Sequence, residues 1–180
     1  MTDLVRFTDL TISRWPNGAG RKADVAAGPG WLVSFAWLDT DAPFSDYTGQ
    51  DRTITLLEGA GFDLVFSPPH SVLSVRQPFA PARFDGGWPA TCHLPAGPCV
   101  VLNAMTARID WVHAVTVLAQ PVALPEEASV RFLVVLQGSC TLAGSPPAGP
   151  RDTFMLPVAG AAVAGSPDLR VAVVAIRPAR

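Results

Sequence analysis

The sequence predicts an all-β protein of short antiparallel strands, arranged as two similar jelly-roll lobes in one compact unit. Three observations lead to this prediction. The 18 prolines and 15 glycines divide the 180-residue chain into apolar pieces too short for ordinary helices. Within these pieces large apolar side chains alternate with smaller ones, which is the two-residue period of a strand. A weak internal repeat indicates that the second half of the chain is built like the first.

The strand pattern is clearest in four stretches. Residues 31–37 and 109–118 each place a series of large side chains on one face. Residues 53–57 and 62–66 are also strand-like, and the Glu-Gly-Ala-Gly segment between them predicts a hairpin, because glycine accepts the positive φ of a tight turn. No segment has the capped 3.6-residue pattern of a helix. Residues 126–136 come nearest to it, and their valine, phenylalanine and leucine content favours a strand.

Two phrases form the internal repeat. An apolar strand ends in an acidic or amide residue and a glycine, as Leu-Leu-Glu-Gly at 56–59 and as Val-Leu-Gln-Gly at 135–138. A Leu-Pro phrase that closes on glycine follows each of them, at 94–97 and at 156–160. A strand, a glycine turn, a second strand and a Pro/Gly corner are the parts that a jelly roll needs.

The repeat places the boundary between the lobes near residue 120. We expect an N-terminal lobe over residues 1–120 and a C-terminal lobe over residues 121–180 that shares strands with the first. The proline-rich residues 121–125 are the expected joint, because a linker so short and stiff leaves the lobes little freedom to move.

Composition excludes several functional classes. With 49% hydrophobic and 16% charged residues, the chain has enough apolar surface to fold throughout. Thirteen basic and fifteen acidic residues leave a formal charge of −2, without the lysine and arginine clusters that a nucleic-acid backbone requires. The first ten residues lack the features of a secretory signal, and no run approaches the about 20 apolar residues of a membrane helix. We therefore expect a cytoplasmic protein that binds neither nucleic acid nor membrane.

Cysteines and histidines form no recognisable metal site. The chain has an odd number of cysteines and no CxxC pair, which favours buried free thiols at Cys92, Cys99 and Cys140. His70, His93 and His113 stand singly, whereas a metal ion needs several converging nitrogen and oxygen ligands. There is also no GxSxG phrase for nucleophilic catalysis. We predict no metal and no cofactor.

Two arginines are candidate anion ligands. Arg52 and Arg108 each border an apolar strand, where a guanidinium is costly to desolvate without an anionic partner. An internal carboxylate can be that partner, although the sequence neighbours Asp51 and Asp110 point to the other strand face or lie at turns. The alternative partner is a ligand carboxylate held by two parallel hydrogen bonds.

Side chains of other types can complete a pocket. Asn103 and Met105 share one face of a strand, so an amide and a thioether can line a barrel interior together, although core packing also explains Met105. Trp15, Trp31 and Trp37 can stack on a planar ligand or simply fill the core.

The Asn-Gly-Ala-Gly segment at 17–20 predicts a tight turn. Asn17 and Gly18 both accept left-handed backbone angles, and the Asn17 side chain is an additional candidate pocket contact. The segment is not a phosphate loop, because no Lys-Ser/Thr pair and no helix follow it.

Six phrases follow one another in a set order between residues 14 and 108. They are Arg-Trp-Pro-Asn-Gly-Ala-Gly at 14–20, Ser34 with Ala36, Ala-Pro-Phe-Ser at 42–45, Gly-Gln-Asp-Arg at 49–52, Leu-Glu-Gly at 57–59 and Leu-Asn-Ala-Met-Thr-Ala-Arg at 102–108. In this order they resemble the signatures of the HutD/Ves family. The resemblance implies a bicupin fold of the RmlC-like jelly-roll kind without an obvious catalytic centre, and it adds Ser34 to the candidate ligand site. For the HutD branch it implies a link to histidine utilisation through a small metabolite such as urocanate or a formyl- or formimino-glutamate.

The chain departs from the family pattern at three places. Arg21 and Lys22 stand where a small hydroxyl residue is common. Val100 and Val101 stand where an acidic residue often precedes the Leu-Asn pair, and Ala107 replaces a common second arginine. These differences concern the ligand rather than the fold.

The leading hypothesis is a non-metal cupin that binds a small anionic metabolite and regulates or buffers histidine utilisation. Its expected ligand-binding residues are Trp15, Asn17, Gly18, Ser34, Arg52, Asn103, Met105 and Arg108. The alternative is a metal-free cupin enzyme, an isomerase or hydrolase of a small carboxylic acid, with Asp24, Glu58 or His113 as its base. A third hypothesis is an interaction module that forms a homodimer through a sheet edge or an apolar surface.

Overall fold

The computed structural model describes residues 3–120, 130–142, 144–156 and 163–180, and β-strands dominate this part of the chain. The single helical element found there is a 3-10 turn at Phe7–Asp9, and no helix among these residues is long and apolar enough to cross a membrane. The strands are, in chain order, β1 (Asp3–Val5), β2 (Ile12–Arg14), β3 (Gly20–Gly28), β4 (Trp31–Leu38), β5 (Ala42–Pro43), β6 (Gln50–Glu58), β7 (Phe62–Phe66), β8 (Val72–Val75), β9 (Pro81–Asp85), β10 (Ala90–His93), β11 (Cys99–Ala107), β12 (Trp111–Ala119), β13 (Val130–Gln137), β14 (Cys140–Leu142), β15 (Thr153–Leu156), β16 (Val163–Gly165) and β17 (Arg170–Pro178). The all-β prediction is confirmed.

The strands form two units, each with its own core. One unit is Thr11–Asp110, and the other combines Met1–Leu10 with Trp111–Arg180. The sequence prediction differs from this division, because it assigned all of residues 1–120 to the N-terminal lobe. The expected joint at 121–125 lies outside the described residues.

Asp152 explains why the start of the chain belongs to the C-terminal unit. Its carboxylate accepts hydrogen bonds from the backbone N–H groups of Phe7 at 3.0 Å and Gly149 at 3.1 Å, and it pairs with Arg6 at 2.7 Å. The Arg6 guanidinium also donates to the carbonyl oxygen of Pro147 at 2.8 Å. Strand β1 then pairs with β15. Because Arg6 and Asp152 lie 146 residues apart, no local sequence pattern predicts this pairing.

Two antiparallel sheets make up the unit Thr11–Asp110. The larger has the strand order β2-β3-β4-β11-β6-β9 and the smaller has the order β5-β10-β7-β8. Strand β7 shows the alternation that builds the core between them, because Phe62, Leu64 and Phe66 are buried while Val65 is 39% exposed. Each such buried side chain contributes about 1.5–3 kcal/mol relative to exposure. The core residues are Ala36, Leu38, Ile54, Leu56, Phe62, Leu64, Phe66, Val75, Phe84, Cys92, Cys99 and Val101.

The glycine segment after β6 carries the chain from one sheet to the other. The predicted hairpin is therefore wrong, because β6 pairs with β11 and β9 whereas β7 pairs with β10 and β8. The turn chemistry was correctly predicted, since Gly59 and Gly61 both have φ +97. A Cβ atom on Gly61 would collide with the carbonyl oxygen of Val75. Gly138, with φ +73, lies at the corresponding change of sheet between β13 and β14.

The second unit has a five-stranded sheet of order β1-β15-β13-β17-β12 and a strand pair β14-β16. The strand predicted from residue 109 begins later, at Trp111, and Ile109 is 86% exposed ahead of it. Most of the second repeated Leu-Pro phrase, at 157–160, is not among the described residues. The core of this unit contains Leu133, Val135, Cys140, Leu142, Ala148, Phe154, Leu169, Val171 and Val173.

The three cysteines are buried and free, as predicted. Burial raises the pKa of Cys92 to about 12 and that of Cys140 to about 11. Neither thiol is ionised at neutral pH, so neither has the chemistry of a nucleophile.

Candidate functional site

The unit Thr11–Asp110 contains a cavity of about 150 Å³ over the central strands of its larger sheet. Every second residue of β4 from Leu32 to Leu38 lines it, as does every second residue of β11 from Val101 to Met105. The two-residue period of a strand therefore decides which side chains reach the cavity.

Strand register brings the polar lining residues into neighbouring rows. Asn103 on β11 lies opposite Ser34 on β4, and Met105 lies opposite Arg52 on β6. The amide and the thioether of β11 thus line the cavity together, as their spacing predicts. On its other side Met105 lies opposite Leu32 of β4. The Leu32 side chain adds apolar surface to the cavity lining.

Arg52 is the dominant electrostatic feature of the cavity. The residue is 7% exposed, and none of the ion pairs found among the described residues includes it. Its Nη2 atom donates to Oδ1 of Asn103 at 3.2 Å, while its Nε atom has no hydrogen-bond partner. Three aromatic rings, those of Phe44, Tyr47 and Phe84, have centroids 5.1, 5.0 and 5.2 Å from its Cζ atom.

The surroundings of Arg52 leave its charge poorly compensated. Desolvation lowers the pKa of Arg52 to about 10, so the guanidinium remains charged at neutral pH. Cation–π contacts with desolvated rings contribute about 2 kcal/mol or more each. The three rings therefore offset part of the several kcal/mol that an unpaired buried charge costs, but they supply no negative charge. The arrangement is therefore chemically suited to accept an anion.

Asn103 links Arg52 to a hydroxyl group. Its Nδ2 atom donates to Oγ of Ser34 at 3.5 Å, and both residues are buried. The amide must turn its oxygen towards Arg52, because a guanidinium only donates. The Ser34 hydroxyl, which accepts from Asn103, keeps its own proton as a donor for a ligand.

Two further cations and a tryptophan line the cavity towards solvent. Arg14 is exposed, and Lys22 forms an ion pair with Asp24 at 2.8 Å, with side chains 40% and 43% exposed. Trp15 packs edge-on against Phe44, with ring centroids 6.4 Å apart and an interplanar angle of 85°. The lining contains no aspartate or glutamate among the residues that the structure describes.

Asn17 and Gly18 lie outside the cavity lining. Oδ1 of Asn17 accepts a hydrogen bond from the backbone N–H of Ala19 at 3.1 Å, and Gly18 has φ +70. Both residues are exposed. The structure places them in the turn that follows Trp15, where the N–H of Gly18 donates to the carbonyl oxygen of Trp15 at 2.9 Å. Their role as ligand contacts stays a prediction.

Arg108 also lies away from the cavity, because carboxylates of the protein itself hold it. It pairs with Asp85 at 2.6 Å and with Asp51 at 2.9 Å, and its side chain is 49% exposed. Asp51 in turn pairs with Arg83 at 2.6 Å. Asp51 and Arg52 point to opposite faces of β6. Asp51 therefore pairs with Arg108, whereas Arg52 faces the cavity. The structure therefore does not bring the two arginines together in one cavity, and a ligand contact of Arg108 stays a prediction.

Two of the candidate tryptophans and two of the candidate bases lie elsewhere. Trp31 and Trp37 occupy the odd-numbered face of β4, whereas the even-numbered face lines the cavity. Glu58 and His113 are not lining residues. Asp24 lies at the edge of the lining, opposite Ser34 on β4 and paired with Lys22 at 2.8 Å. His113 is 3% exposed on β12 of the other unit. Within the described ranges no group of three or more His, Cys, Asp or Glu side chains is arranged to hold a metal.

Several lining residues were missed by sequence reasoning. Phe44, Tyr47 and Lys22 have no periodic pattern that marks them as pocket residues. Two signals in the sequence could have marked them. Phe44 lies in one of the family-like phrases, and Lys22 lies where the chain departs from the family pattern.

The ion-pair cluster around Asp51 predicts a loss of stability in acid. Partial burial raises the pKa of Asp51, but hydrogen bonds from Arg108 and Arg83 outweigh it, so the pKa lies below its ordinary value of 3.8. A carboxyl with a lowered folded-state pKa stabilises the protein above pH 3.8, and this contribution is lost as the pH falls through the lowered value. We expect the urea midpoint to fall more steeply below about pH 4 in wild type than in Asp51→Asn. Parallel pH profiles for the two proteins would contradict this assignment.

Comparison with known proteins identifies relatives of the chain. A family model described as HutD matches residues 8–171. The chain is 28% identical over 123 residues to an uncharacterised 21.2 kDa protein in the hutC 3′ region of Pseudomonas putida, covering 60% of this chain and 63% of that protein. It is 32% identical over 78 residues to protein Ves of Escherichia fergusonii, covering 39% and 41%. The chain thus spans less than two thirds of the length of either relative.

Solved structures show the same fold. The structure of HutD from Pseudomonas fluorescens SBW25 in a formate condition superposes with a TM-score of 0.87 at 21% identity, with 99% of both chains covered. A cupin 2 conserved barrel domain protein from Leptotrichia buccalis gives a TM-score of 0.62 at 10% identity, covering 97% of this chain and 96% of that one. The predicted cupin-type fold is confirmed.

Proposed function

The chain belongs to the HutD family, and from this premise we propose that it is a non-metal cupin that binds a small organic anion in its cavity. In this proposal the protein acts in the cytoplasm and regulates or buffers histidine utilisation. The observation that carries the proposal is the buried guanidinium of Arg52. Among the described residues it has no carboxylate partner, its Nε donor has no acceptor, and no acidic side chain lines its cavity.

The cavity chemistry supports a carboxylate as the bound group. A carboxylate placed at the Nε edge of Arg52 receives charge-assisted hydrogen bonds, which are about twice as strong as neutral ones. Ser34 adds a hydroxyl beside it. Trp15, Phe44 and Met105 supply apolar surface for the carbon body of a ligand.

The relatives support the pathway. One is named for its position in the hutC 3′ region, and the family model that matches the chain is described as HutD. We therefore propose urocanate or a formyl- or formimino-glutamate as the ligand. The described cavity lining contains no carboxylate and no histidine, which supports binding rather than turnover. Asp24, at its edge, is held by Lys22 at 2.8 Å.

A thermal-shift screen tests this proposal. We expect at least one of urocanate, formylglutamate and formiminoglutamate to raise the unfolding temperature of wild type, because a ligand at 100 times its Kd stabilises by about 2.7 kcal/mol. Arg52→Ala should weaken binding by about tenfold or more, since a hydrogen bond to a charged group contributes about 1.5–3 kcal/mol.

Arg108→Ala is the matched control, because it removes an arginine of the same unit from outside the cavity. It should retain the ligand response. A response to divalent metals alone, or equal responses in wild type and Arg52→Ala, would contradict the proposed function. If NMR of the same samples shows that the ligand is converted to a product, the protein is an enzyme rather than a binding protein.

A further inference from the structure

Strand β12 forms one edge of the five-stranded sheet in the second unit. It pairs with β17 on one side, and no strand among the described residues pairs with its other side. Ala114, Thr116 and Ala119 are exposed along it, whereas residues 171–174 of the neighbouring β17 are buried. The outer side of β12 therefore offers a row of backbone N–H and C=O groups to a further strand.

The other edges of the described sheets are protected against such pairing. Strands β1, β2, β5, β8, β14 and β16 are two to four residues long, and β9, with five residues, contains Pro81, Arg83 and Asp85. Short strands, prolines, charged side chains and bulges keep a sheet edge from pairing with another chain. Strand β12 has nine residues with no proline, lysine, arginine, aspartate or glutamate, and its ladder with β17 runs without a bulge. It lacks all of these protections.

We propose that β12 is the interface of a homodimer, in which it pairs antiparallel with β12 of a second copy of the chain. The pairing joins the five-stranded sheets of the two copies into one continuous sheet. Full overlap of the nine residues places Val115 opposite Val115 of the second copy, and Ala114 opposite Thr116 of the second copy.

The residues of β12 suit a second copy as the partner. In a two-fold antiparallel pair a charged residue at the centre would face its own copy, and like charges opposite each other are destabilising. Strand β12 carries no such charge, and its valines are β-branched residues that favour cross-strand pairs.

Two-fold pairing also limits the assembly to two chains. It occupies the free edge of β12 in both copies, so the contact closes on itself. The opposite edge of the same sheet is β1, which has three residues and includes Asp3. A head-to-tail contact between the two edges has much less backbone to pair, and the dimer is therefore favoured over a fibre.

Sedimentation equilibrium over a range of protein concentrations tests the proposal. We expect the average mass of wild type to rise from one chain towards two as the concentration increases, because a single strand-to-strand contact is small and its association reversible. The double variant Ala114→Lys with Thr116→Lys should weaken dimerisation about tenfold or more, since lysine then faces lysine at two symmetric positions. Both positions are exposed, so this variant should keep the unfolding temperature of the wild-type monomer.

Ala114→Lys with Thr116→Asp is the matched variant, because the same two positions then place lysine opposite aspartate. It should dimerise at least as well as wild type. Val72→Lys is the control for an added lysine on an edge strand, since Val72 is 53% exposed on β8 of the other unit. It should leave dimerisation unchanged.

Three results would overturn the proposal. Wild type that stays monomeric up to about 1 mM has no such interface. Equal dimerisation of wild type and the double-lysine variant places the contact on another surface, and equal weakening in the lysine–lysine and lysine–aspartate variants excludes the two-fold antiparallel pairing. The proposed function is independent of all three, because it concerns the cavity of the unit Thr11–Asp110.

Discussion

Replacing Asn103 by aspartate is expected to abolish anion binding at the cavity and to leave the unliganded protein at least as stable as wild type. Oδ1 of Asn103 already accepts a hydrogen bond from Arg52 at 3.2 Å. Aspartate has almost the same shape and adds the negative charge that Arg52 lacks. The introduced carboxylate then occupies the guanidinium permanently, so a ligand carboxylate must compete with it and meets a second negative charge.

The expected loss of affinity is about 100-fold or more. A hydrogen bond to a charged group contributes about 1.5–3 kcal/mol, and each 1.4 kcal/mol is a factor of ten in Kd. Calorimetry with the ligand found in the thermal-shift screen measures this loss directly. Wild-type affinity in Asn103→Asp would show that Arg52 is not the anion anchor.

Asn103→Leu is the matched variant for stability. It removes the acceptor of Arg52 without adding a charge, and it leaves the buried guanidinium without the only hydrogen-bond acceptor found for it among the described residues. We expect the free energy of unfolding to fall by about 2–4 kcal/mol. Urea unfolding without ligand should rank aspartate at or above asparagine, and asparagine above leucine. A lower stability for aspartate than for leucine would mean that the site does not favour negative charge.

Strand periodicity predicted that Asn103 and Met105 share one face of β11, and both line the cavity. Arg52 was predicted from the cost of burying a guanidinium beside an apolar strand, and the structure buries it. These inferences needed only local information about each strand. Ser34 on β4 was predicted from the family resemblance instead, and it lines the same cavity.

Contacts between distant segments account for what sequence reasoning missed. Arg108 meets Asp51 across 57 residues and Asp85 across 23 residues, and neither partner is implied by its sequence neighbours. The rings of Tyr47 and Phe84 flank Arg52 from two different segments. Such contacts depend on the order of strands in a sheet, which a single sequence does not reveal.

Gly20→Ala is expected to destabilise the protein strongly, through a collision that reaches the cavity wall. A Cβ atom on Gly20 would collide with the carbonyl oxygen of Trp37 and lie 2.7 and 2.8 Å from two ring carbons of Trp15. Overpacking of this kind typically costs about 1–3 kcal/mol and occasionally more. We expect about 3 kcal/mol, which lowers the unfolding temperature by about 6–12 °C in a chain of this size. Displacement of Trp15 should also weaken ligand binding.

Gly18→Ala separates this collision from backbone strain, because the two glycines flank the same turn. Gly18 has φ +70, and a Cβ atom there meets nothing within 4 Å. The variant therefore costs only the left-handed backbone conformation, about 1 kcal/mol, and should bind ligand like wild type. Thermal unfolding and calorimetry of both variants check the comparison. Equal stability losses with unchanged binding in Gly20→Ala would mean that Trp15 moves without cost and does not shape the cavity. A larger loss in Gly20→Ala, together with weaker binding, would show that packing against Gly20 holds the Trp15 ring in the cavity wall.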